Sequence, residues 1–528
     1  MFSLLLLLLL PLATPQNILI ILLDDVDDLA PTREKGFPNI TAHFTKNGVM
    51  YNNAFVTTPI CCPSRGSIYT GTYQHNHRTL DNTVTNGCDG PNWDKNIAPN
   101  SLGKRLQDLG YRTGMYGKYS NNYRGDKVPV GWDDWLGLVG NSQYYNYTLN
   151  RNGVNEEHGL DYKKDYLPSL ILDAGIEFMQ DDKSKKPWCA FLSFPTAHES
   201  FDAAPQHQKL FKASKPPNLN YPSFNKTGDP GKHWYTSSRP ALNNVSAKYN
   251  EQGWIRRLQS LQSIDEGFVR ILKKIDPQNT TIIFTSDNGF YFGEWGMILD
   301  KRQPYEVTVR VPMYASGPLF PKGSTQDTVV LNIDVAPTAI DVAKKSGAGK
   351  PKPGVSDENY GLQFDGTSML SLLEAPKARN SFLIEYHGMG NGIDSNDSCA
   401  HINMRCWYKD NKVWYTEPKF DIPDGEKFCF CVDSRNNTFT CERRVNNNNP
   451  GIFTNFLYCS FSSGFNEYYN LHKDPFQMKN MWGTLGEDQK WEFKRRIGRI
   501  RECRGFEECN QLDNSGFDSD KPFRDNFR

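Results

Sequence analysis

The segment that most constrains the fold is Asn17–Leu23, an apolar and β-branched run that is followed directly by two acids, Asp24 and Asp25. A continuous apolar run of this length predicts a strand buried on both faces, as in a parallel sheet. Similar runs occupy residues 188–194 and 280–285. We therefore expect a sheet whose central strands are covered on both sides.

Helical patterns lie between these runs. Residues 101–109 form one, and residues 255–275 form a longer one whose apolar residues recur at helical spacing. Alternating strands and helices predict an α/β fold, a mostly parallel sheet with helices on both faces. In such folds ligands bind beyond the carboxyl ends of the strands.

The ends of the chain differ in character from its middle. An apolar run near the start is too short to span a bilayer and lies where the core of a secretory signal belongs. We interpret residues 1–15 as a signal peptide, 16–378 as the catalytic α/β domain, 379–510 as a smaller cysteine-rich α+β domain and 511–528 as a polar tail. No later stretch predicts a transmembrane segment.

Cysteines and glycosylation sequons indicate passage through the secretory pathway. Of twelve cysteines, eight lie in the second domain: Cys399, Cys406, Cys429, Cys431, Cys441, Cys459, Cys503 and Cys509. This density predicts disulfides, whose pairing the sequence leaves open, and the Cys429-x-Cys431 spacing is too tight for a usual zinc pair. The Asn-x-Ser/Thr sequons predict glycosylation at Asn39, Asn146, Asn225, Asn244, Asn279, Asn396 and Asn436.

The overall charge limits the possible partners. Sixty basic residues balance sixty acidic ones, and there is no long basic tract. This balance argues against nucleic acid as a partner, and any acidic substrate has to be recognised locally.

Two polar clusters follow buried strands. Asp24 and Asp25 follow the first strand, and Asp287 and Asn288 follow the strand at 280–285. Either pair alone is explained as solvated loop residues or helix caps. Together they would meet at one edge of the sheet, where carboxylate and amide oxygens suit Ca²⁺ or Mg²⁺ better than zinc.

Basic side chains are expected at the same edge. Arg65 lies four residues after Cys61, Lys118 follows a short strand, and His198 follows the strand at 188–194, while Lys301 lies in a later loop. A lone lysine is usually a solvated surface residue, and a lone histidine is usually structural. As a group these side chains would complement the negative charge of an anionic oxyacid ester.

One segment favours a functional site over solvated or structural residues at this edge of the sheet. It is Cys61-Cys62-Pro63-Ser64-Arg65-Gly66. Two adjacent cysteines could be a disulfide partner beside a buried thiol. The Cys-x-Pro-x-Arg-Gly pattern, however, resembles the sequence in which members of the sulfatase family have the first cysteine oxidised to formylglycine. The resemblance runs from about residue 17 to 510 and includes the segments 70–77, 117–119, 232–234, 285–289, 300–303, 332–334, 429–431, 436–438 and 469–471.

The resemblance implies an alkaline-phosphatase-like fold and a role for each site residue. Cys61 would be converted by the formylglycine-generating enzyme, and the hydrated aldehyde would attack sulfur and later expel sulfate. One Ca²⁺ would be bound by Asp24, Asp25, Asp287, Asn288 and the modified Cys61. Arg65 would support the hydrated aldehyde, Lys118 and Lys301 would hold the sulfate, and His198 would contact the sulfate and protonate the leaving sugar oxygen.

The resemblance also bears on five further positions, which are His75, Lys232, Cys62, Cys88 and Ser120. His75 and Lys232 are predicted to be additional substrate contacts, and Cys62 is predicted to be structural, paired with Cys88. Many sulfatases have a histidine two residues after the catalytic lysine, but this chain has Ser120 there. This difference supports the glucosamine-type subgroup.

Within the family, the pattern is most similar to the members that remove 6-O-sulfate from N-acetylglucosamine in heparan or keratan sulfate, in the lysosome or outside the cell. Extracellular heparan sulfate 6-O-endosulfatases are the first alternative, although their long basic insertion is absent here. A phosphatase or phosphodiesterase of the same fold and a catalytically silent glycosaminoglycan-binding protein are the others. The sequence leaves the oligomeric state open.

Overall fold

The computed structural model describes residues 15–181, 184–298, 300–348, 360–376, 379–389, 404–408, 427–431, 433–445 and 453–510. The predicted signal peptide up to residue 14, the 511–528 tail, Asn396 and Cys399 lie outside these residues, as do the side chains of Cys406, Cys429 and Cys431. In the described part of the chain, no helix is both long enough and apolar enough to cross a membrane.

Ten strands form the larger sheet, in the order β10-β2-β9-β8-β1-β7-β3-β4-β5-β6. They are β1 (Asn17–Leu23), β2 (Gly48–Phe55), β3 (Arg112–Gly117), β4 (Asp134–Leu138), β5 (Tyr147–Arg151), β6 (Val154–His158), β7 (Trp188–Ser193), β8 (Thr280–Ser286), β9 (Met313–Ser316) and β10 (Ser324–Leu331). The central strands β8, β1, β7, β3 and β4 run parallel, and antiparallel pairs extend both sides. The predicted buried parallel core is confirmed.

Helices cover both faces of this sheet, as the alternating pattern predicted. They are α1 (Ala30–Gly36), α2 (Pro38–Asn47), α3 (Cys61–Thr70), α4 (Gln74–His77), α5 (Gly90–Asn92), α6 (Leu102–Asp108), α7 (Tyr162–Asp165), α8 (Leu167–Gln180), α9 (Trp234–Ser237), α10 (Asn244–Leu272), α11 (Glu306–Val309), α12 (Val335–Lys345) and α13 (Met369–Glu374).

The side chains of β1 alternate between two hydrophobic cores. Ile18, Ile20 and Leu22 pack with residues of α3, α6 and α12, whereas Leu19 and Ile21 pack on the other face with residues of α2, α8 and α10. Because successive strand residues point to opposite faces, a strand covered on both sides needs apolar residues at every position. This requirement explains the uninterrupted apolar run from which the fold was predicted.

Helix α10 is longer than its apolar pattern predicted, since it begins at Asn244 and not near residue 255. The Asn243 side chain accepts a hydrogen bond from the Ser246 amide at 2.9 Å and so caps the helix. The first ten residues are mostly polar, with Val245 and Tyr249 as their buried apolar side chains, so the periodic pattern there is sparse and easily missed.

The second unit is a four-stranded antiparallel sheet in the order β11-β14-β15-β16, accompanied by a two-stranded ladder of β12 and β13. The strands are β11 (Ser381–Tyr386), β12 (Met404–Tyr408), β13 (Lys427–Cys431), β14 (Phe439–Arg444), β15 (Phe456–Phe461) and β16 (Asn466–Asn470), followed by α14 (Glu487–Ile500) and α15 (Gly505–Cys509). Disulfides join Cys441 to Cys459 and Cys503 to Cys509. This is the smaller, disulfide-containing antiparallel unit that the sequence predicted.

The predicted glycosylation sites that fall in the described residues all reach the surface. Asn39, Asn146 and Asn244 are exposed, and Asn225, Asn279 and Asn436 are partly exposed. Their positions are compatible with glycosylation, which stays a prediction.

A buried ion pair joins the two units. Arg379, just before β11, donates to both carboxylate oxygens of Asp334 at 2.6 and 3.0 Å, and neither side chain is exposed to solvent. Asp334 also accepts from the Leu331 and Thr367 amides, at 2.8 and 2.9 Å. This arrangement satisfies the charge of Asp334 inside the protein.

Replacing Arg379 by leucine should destabilise the fold by about 3–5 kcal/mol, because it leaves the Asp334 carboxylate buried without its cation. The measurement is the midpoint of thermal unfolding of the intact protein. As a control, Arg270→Leu removes a surface ion pair with Asp173, both side chains being more than half exposed, and should cost at most about 1 kcal/mol. Equal losses of thermal stability in the two variants would contradict the stabilising role of the Arg379–Asp334 ion pair.

Candidate active site

The pairing of β1 with β8 brings the two acidic clusters together. These strands are parallel, with Leu23 opposite Ser286, so the residues that follow them lie side by side. The Asp25 amide donates to Asp287 Oδ1 at 3.1 Å, and all four side chains that follow the strands are buried. The predicted convergence of Asp24, Asp25, Asp287 and Asn288 is therefore observed.

Cys61 is the first residue of α3 and lies directly against this cluster. Its Sγ is 3.8 Å from Asp24 Oδ1 and 4.0 Å from Asp25 Oδ1. The positive end of the helix dipole and the free amides of the first turn favour negative charge at this position. The next residue, Cys62, points away and forms the predicted disulfide with Cys88.

Burial makes the unmodified Cys61 thiol unreactive. The side chain is inaccessible to solvent, and burial raises its pKa to about 12 despite the opposing charges of Lys118 and Lys301. The thiolate is the reactive form of cysteine, and it would be nearly absent at any physiological pH.

Three cations surround the carboxylates. Arg65 donates from Nε to Asp287 Oδ2 at 2.9 Å, and its Nη1 donates to the Lys118 carbonyl and to Ser193 Oγ. Lys118 Nζ lies 2.7 Å from Asp24 Oδ2, and Lys301 Nζ lies 2.6 and 2.7 Å from the two oxygens of Asp25. Each predicted cation thus reaches the cluster.

The cations determine how the acids ionise. Burial opposes ionisation of Asp24, but Lys118 and Arg65 outweigh it and hold the pKa of the Asp24 carboxyl well below its usual range. Burial, reinforced by the nearby charge of Asp24, raises the pKa of Asp287 to about 7. A divalent cation would add positive charge beside both acids and favour their ionised forms.

His198 lies at the opening of the site. Its side chain is 16% exposed, whereas those of Arg65 and Lys118 are fully buried. Nδ1 lies 2.5 Å from the Glu199 carbonyl, which can only accept, so Nδ1 carries a proton and Nε2 is directed toward Asp25 Oδ2 at 3.8 Å. Burial lowers the pKa of His198, and Asp25 opposes that shift.

The donor atoms fit a hard divalent metal ion. Ligand atoms of Asp24, Cys61 and Asp287 lie within 4.8 Å of one another. Asn288 Nδ2 donates to Asp25 Oδ1 and to the Gly289 carbonyl, while Asn288 Oδ1 is buried and has no hydrogen-bond partner. A buried orphan oxygen beside carboxylates is what an oxygen-coordinated ion such as Ca²⁺ would satisfy.

His75 and Lys232, the two predicted substrate contacts, have other partners. His75 bonds Glu385 and the Cys503 carbonyl, both at 2.8 Å, and so links the two units. Lys232 Nζ is buried among three aromatic rings at 3.9 to 4.5 Å and donates to the Gln477 carbonyl. These contacts give both residues structural partners between the units, and their contact with substrate stays a prediction.

Sequence reasoning missed two residues that support the site. Ser142 donates to Asp24 Oδ2, and Arg257 donates to the Asp25 carbonyl and to Asp27. Ser142 lies in a loop after β4 and Arg257 lies inside α10, and no motif marks either position.

A nucleophile position at a helix N-terminus, three cations and a set of oxygen donors define an enzyme site for an anionic ester. A family model described as Sulfatase matches residues 16–345. The chain therefore belongs to the sulfatase family, and it is a sulfatase enzyme.

Two relatives match over most of the chain. N-acetylglucosamine-6-sulfatase of Homo sapiens is 31% identical over 517 residues, covering 93% of this chain and 85% of the relative. A putative extracellular sulfatase Sulf-1 homolog of Caenorhabditis elegans is 31% identical over 509 residues, covering 89% of this chain and 68% of the relative.

Solved structures share the fold. One is a protein in complex with its substrate D-glucosamine-2-N,6-O-disulfate, with a TM-score of 0.65 and 20% identity over 95% of this chain and 99% of the other. Another is a phosphonate monoester hydrolase of Agrobacterium radiobacter, with a TM-score of 0.61 and 16% identity over 91% of this chain and 94% of the other. These likenesses confirm the predicted alkaline-phosphatase-like architecture.

Replacing Asn288 by leucine should weaken calcium binding about tenfold or more, because it removes the orphan Oδ1 from the donor set. The measurement is calcium stoichiometry and affinity in the purified protein, which does not depend on turnover. As a control, Ser286→Ala removes a neighbouring hydroxyl whose hydrogen bonds are all to backbone groups, the Leu23 and Asn288 carbonyls and the Val26 amide, and it should bind calcium normally. Full calcium retention in the leucine variant would contradict this metal site.

Proposed function

We propose that this sulfatase removes the 6-O-sulfate from N-acetylglucosamine 6-sulfate units of heparan or keratan sulfate. The single observation that carries the mechanism is the position of Cys61, at the first residue of α3 and against a cluster of three carboxylates and three cations. In this proposal Cys61 is converted to formylglycine during biosynthesis by the formylglycine-generating enzyme.

Two groups would supply chemistry that the encoded side chains lack. The hydrated aldehyde of formylglycine supplies an oxygen nucleophile where the buried thiol cannot ionise. A calcium ion held by Asp24, Asp25, Asp287, Asn288 and the modified residue at position 61 would supply positive charge for a sulfate oxygen.

The cations bind and orient the sulfate group. Lys118 and Lys301 each have a carboxylate partner within hydrogen-bond distance, so each ammonium group is already directed into the cluster. Preorganised charges of this kind stabilise the negative charge that develops during transfer, and they need little reorganisation. Arg65 holds Asp287 and, through Ser193, the end of β7 in place.

His198 is the group that protonates the leaving sugar oxygen. It is partly exposed at the opening of the site, and the Glu199 carbonyl fixes its orientation. In its imidazolium form His198 carries a proton on both ring nitrogens, and it can give the Nε2 proton to the leaving oxygen while Nδ1 stays bonded to the Glu199 carbonyl. An alkoxide is a poor leaving group, so this transfer should accelerate release of the sugar, and it leaves His198 neutral.

Relatives and the sequence support the choice of sugar. The human relative bears the name N-acetylglucosamine-6-sulfatase, and a fold neighbour was solved with D-glucosamine-2-N,6-O-disulfate. Ser120, which is fully buried, stands where many sulfatases have histidine. An extracellular 6-O-endosulfatase is the second candidate, favoured by the Caenorhabditis elegans relative. We place the enzyme in the lysosome or outside the cell.

A phosphoryl-transfer role is less well supported, although a phosphonate monoester hydrolase shares the fold. The donor cluster in the described residues consists of carboxylates, a thiol and an amide oxygen, which suits calcium rather than a pair of zinc ions. Faster turnover of phosphate esters than of sulfate esters would favour that role.

Defined 6-O-sulfated oligosaccharides should lose sulfate on incubation with the enzyme, and Cys61→Ala should abolish this release because it removes the nucleophile precursor. Cys189→Ala is a matched control, since Cys189 is the other free cysteine in the described residues and is also buried. Sulfate and its position of origin are measured across pH. Release only from the non-reducing end with an acidic optimum selects the lysosomal exo-enzyme. Undiminished release by the Cys61 variant would contradict the proposal.

His198→Asn should lower the rate on the sugar sulfate by about 10²–10⁴-fold, the usual contribution of a general acid. The loss should be much smaller with 4-nitrophenyl sulfate, because nitrophenolate leaves without a proton. The control is His158→Asn, since the His158 side chain is also 16% exposed and lies near Asp165. Equal losses on both substrates would assign His198 to binding rather than proton transfer.

A further inference from the structure

Lys301 lies between two residues with unusual backbone conformations. Asp300 has a φ of 96° and Arg302 a φ of 82°, in the left-handed region that residues other than glycine rarely adopt. A conformation of this kind persists only where the surrounding structure holds it, and such conformations cluster at functional sites. Contacts with the rest of the protein must therefore hold the segment that carries Lys301.

The Arg302 side chain supplies the first of these contacts. Its Nε donates to Asp300 Oδ2 at 2.9 Å, and its Nη1 donates to Asp433 Oδ2 and to the Tyr386 hydroxyl, both at 3.3 Å. Asp433 lies between β13 and β14, and Tyr386 is the last residue of β11, so both belong to the second unit. The contact is largely buried, since the side chains of Arg302 and Asp433 are 9% and 2% exposed. The guanidinium thus joins the residue before Lys301 to the second unit.

The main chain of the segment is held as well. The Arg302 amide donates to the carbonyl of Pro59, two residues before Cys61, at 3.0 Å. The Arg302 carbonyl accepts from the side-chain amides of Gln303 and Asn437, at 2.9 and 3.1 Å. Asn437 also belongs to the second unit. Arg302 is therefore fixed on one side by the chain that leads into α3 and on the other by the second unit.

The Asp433 carboxylate is itself fixed by donors of its own unit. These donors are the Tyr386 hydroxyl, the Met389 amide at 2.6 Å, the Ser434 amide at 2.8 Å and Asn437 Nδ2 at 3.2 Å. A carboxylate held in this way offers the guanidinium a charge-assisted hydrogen bond at a defined position.

We propose that Arg302 and Asp433 are positioning residues for Lys301, so that the second unit helps to set the geometry of sulfate binding in the active site. The inference rests on the proposed function, in which Lys301 holds the sulfate. The two residues act through the lysine and not on the substrate itself.

The placement of the Lys301 ammonium group depends on its backbone. A lysine carries its charge at the end of a flexible four-carbon chain, so only its backbone and its partners confine that charge. Its Nζ lies 2.6 and 2.7 Å from the two oxygens of Asp25. Without the contacts of Arg302, the backbone at positions 300 and 302 would relax toward commoner conformations and move the lysine. A displacement of about 1 Å in a substrate-positioning group can lower a rate about a hundredfold.

The variant Arg302→Lys tests this role. Lysine keeps the positive charge but cannot bond Asp300 and Asp433 together, because it lacks the planar fork of the guanidinium. The variant should bind inorganic sulfate about tenfold more weakly, and its kcat/KM for 4-nitrophenyl sulfate should fall about 10- to 100-fold. Calorimetric titration with inorganic sulfate measures the first effect without any turnover.

A double-mutant cycle separates positioning from stability. In a Lys301→Met background, Arg302→Lys should change sulfate affinity and kcat/KM by less than about twofold, because the group that it positions is gone. As a control, Arg496→Lys alters a similarly buried arginine that is paired with Glu442 of β14. The control should lower the midpoint of thermal unfolding and leave sulfate affinity unchanged. Tyr386→Phe removes one hydroxyl from the network and keeps the ring, so it should give a smaller loss of sulfate affinity, and it takes the place of Arg302→Lys if that variant does not fold.

Equal losses from Arg302→Lys with and without Lys301 would overturn the inference, and so would an unchanged sulfate affinity in the single variant. An unchanged sulfate affinity in Lys301→Met would contradict the role of Lys301 and this inference with it. The proposed choice of sugar fails separately, when the unaltered enzyme releases no sulfate from 6-O-sulfated oligosaccharides. Titration with inorganic sulfate still tests the role of Arg302 in that case.

Discussion

The parallel pairing of β1 with β8 is the constraint on which the active site depends. It aligns the carboxyl ends of two buried strands, so that Asp24 and Asp25 meet Asp287 and Asn288 without any long-range loop having to bring them together. The α3 helix then adds Cys61 from one face of the sheet. A one-residue slip of either strand would turn these side chains away from each other.

Concentrating three acids inside a protein is costly unless their charges are balanced. Here Arg65, Lys118 and Lys301 supply that balance, and each is itself buried. The same cations are the groups that would bind a sulfate ester. The side chains that neutralise the buried acids in the folded protein are therefore also positioned to bind an anionic substrate. Adding a divalent ion would leave the cluster with excess positive charge, which a sulfate monoester would partly offset.

The sequence predicted the central sheet and most of the site because both depend on local patterns. Strands buried on both faces require unbroken apolar runs, and the polar residues that follow such strands in a parallel sheet must lie at one edge. The start of α10 at Asn244 was missed because the residues there are mostly polar, and only Val245 and Tyr249 continue the buried apolar face. Ser142 was missed because a loop brings it to Asp24. The partners of His75 and Lys232 in the second unit, Glu385 and the Gln477 carbonyl, could not be predicted because they lie far away along the chain.

The central claim is that Cys61 is the precursor of the nucleophile, and mass spectrometry of the peptide that contains it tests this claim most directly. Protein made in a secretory host with the formylglycine-generating enzyme should show the aldehyde or its hydrate at position 61, with Cys62 joined to Cys88. An unmodified thiol at position 61 in catalytically active protein would contradict the account.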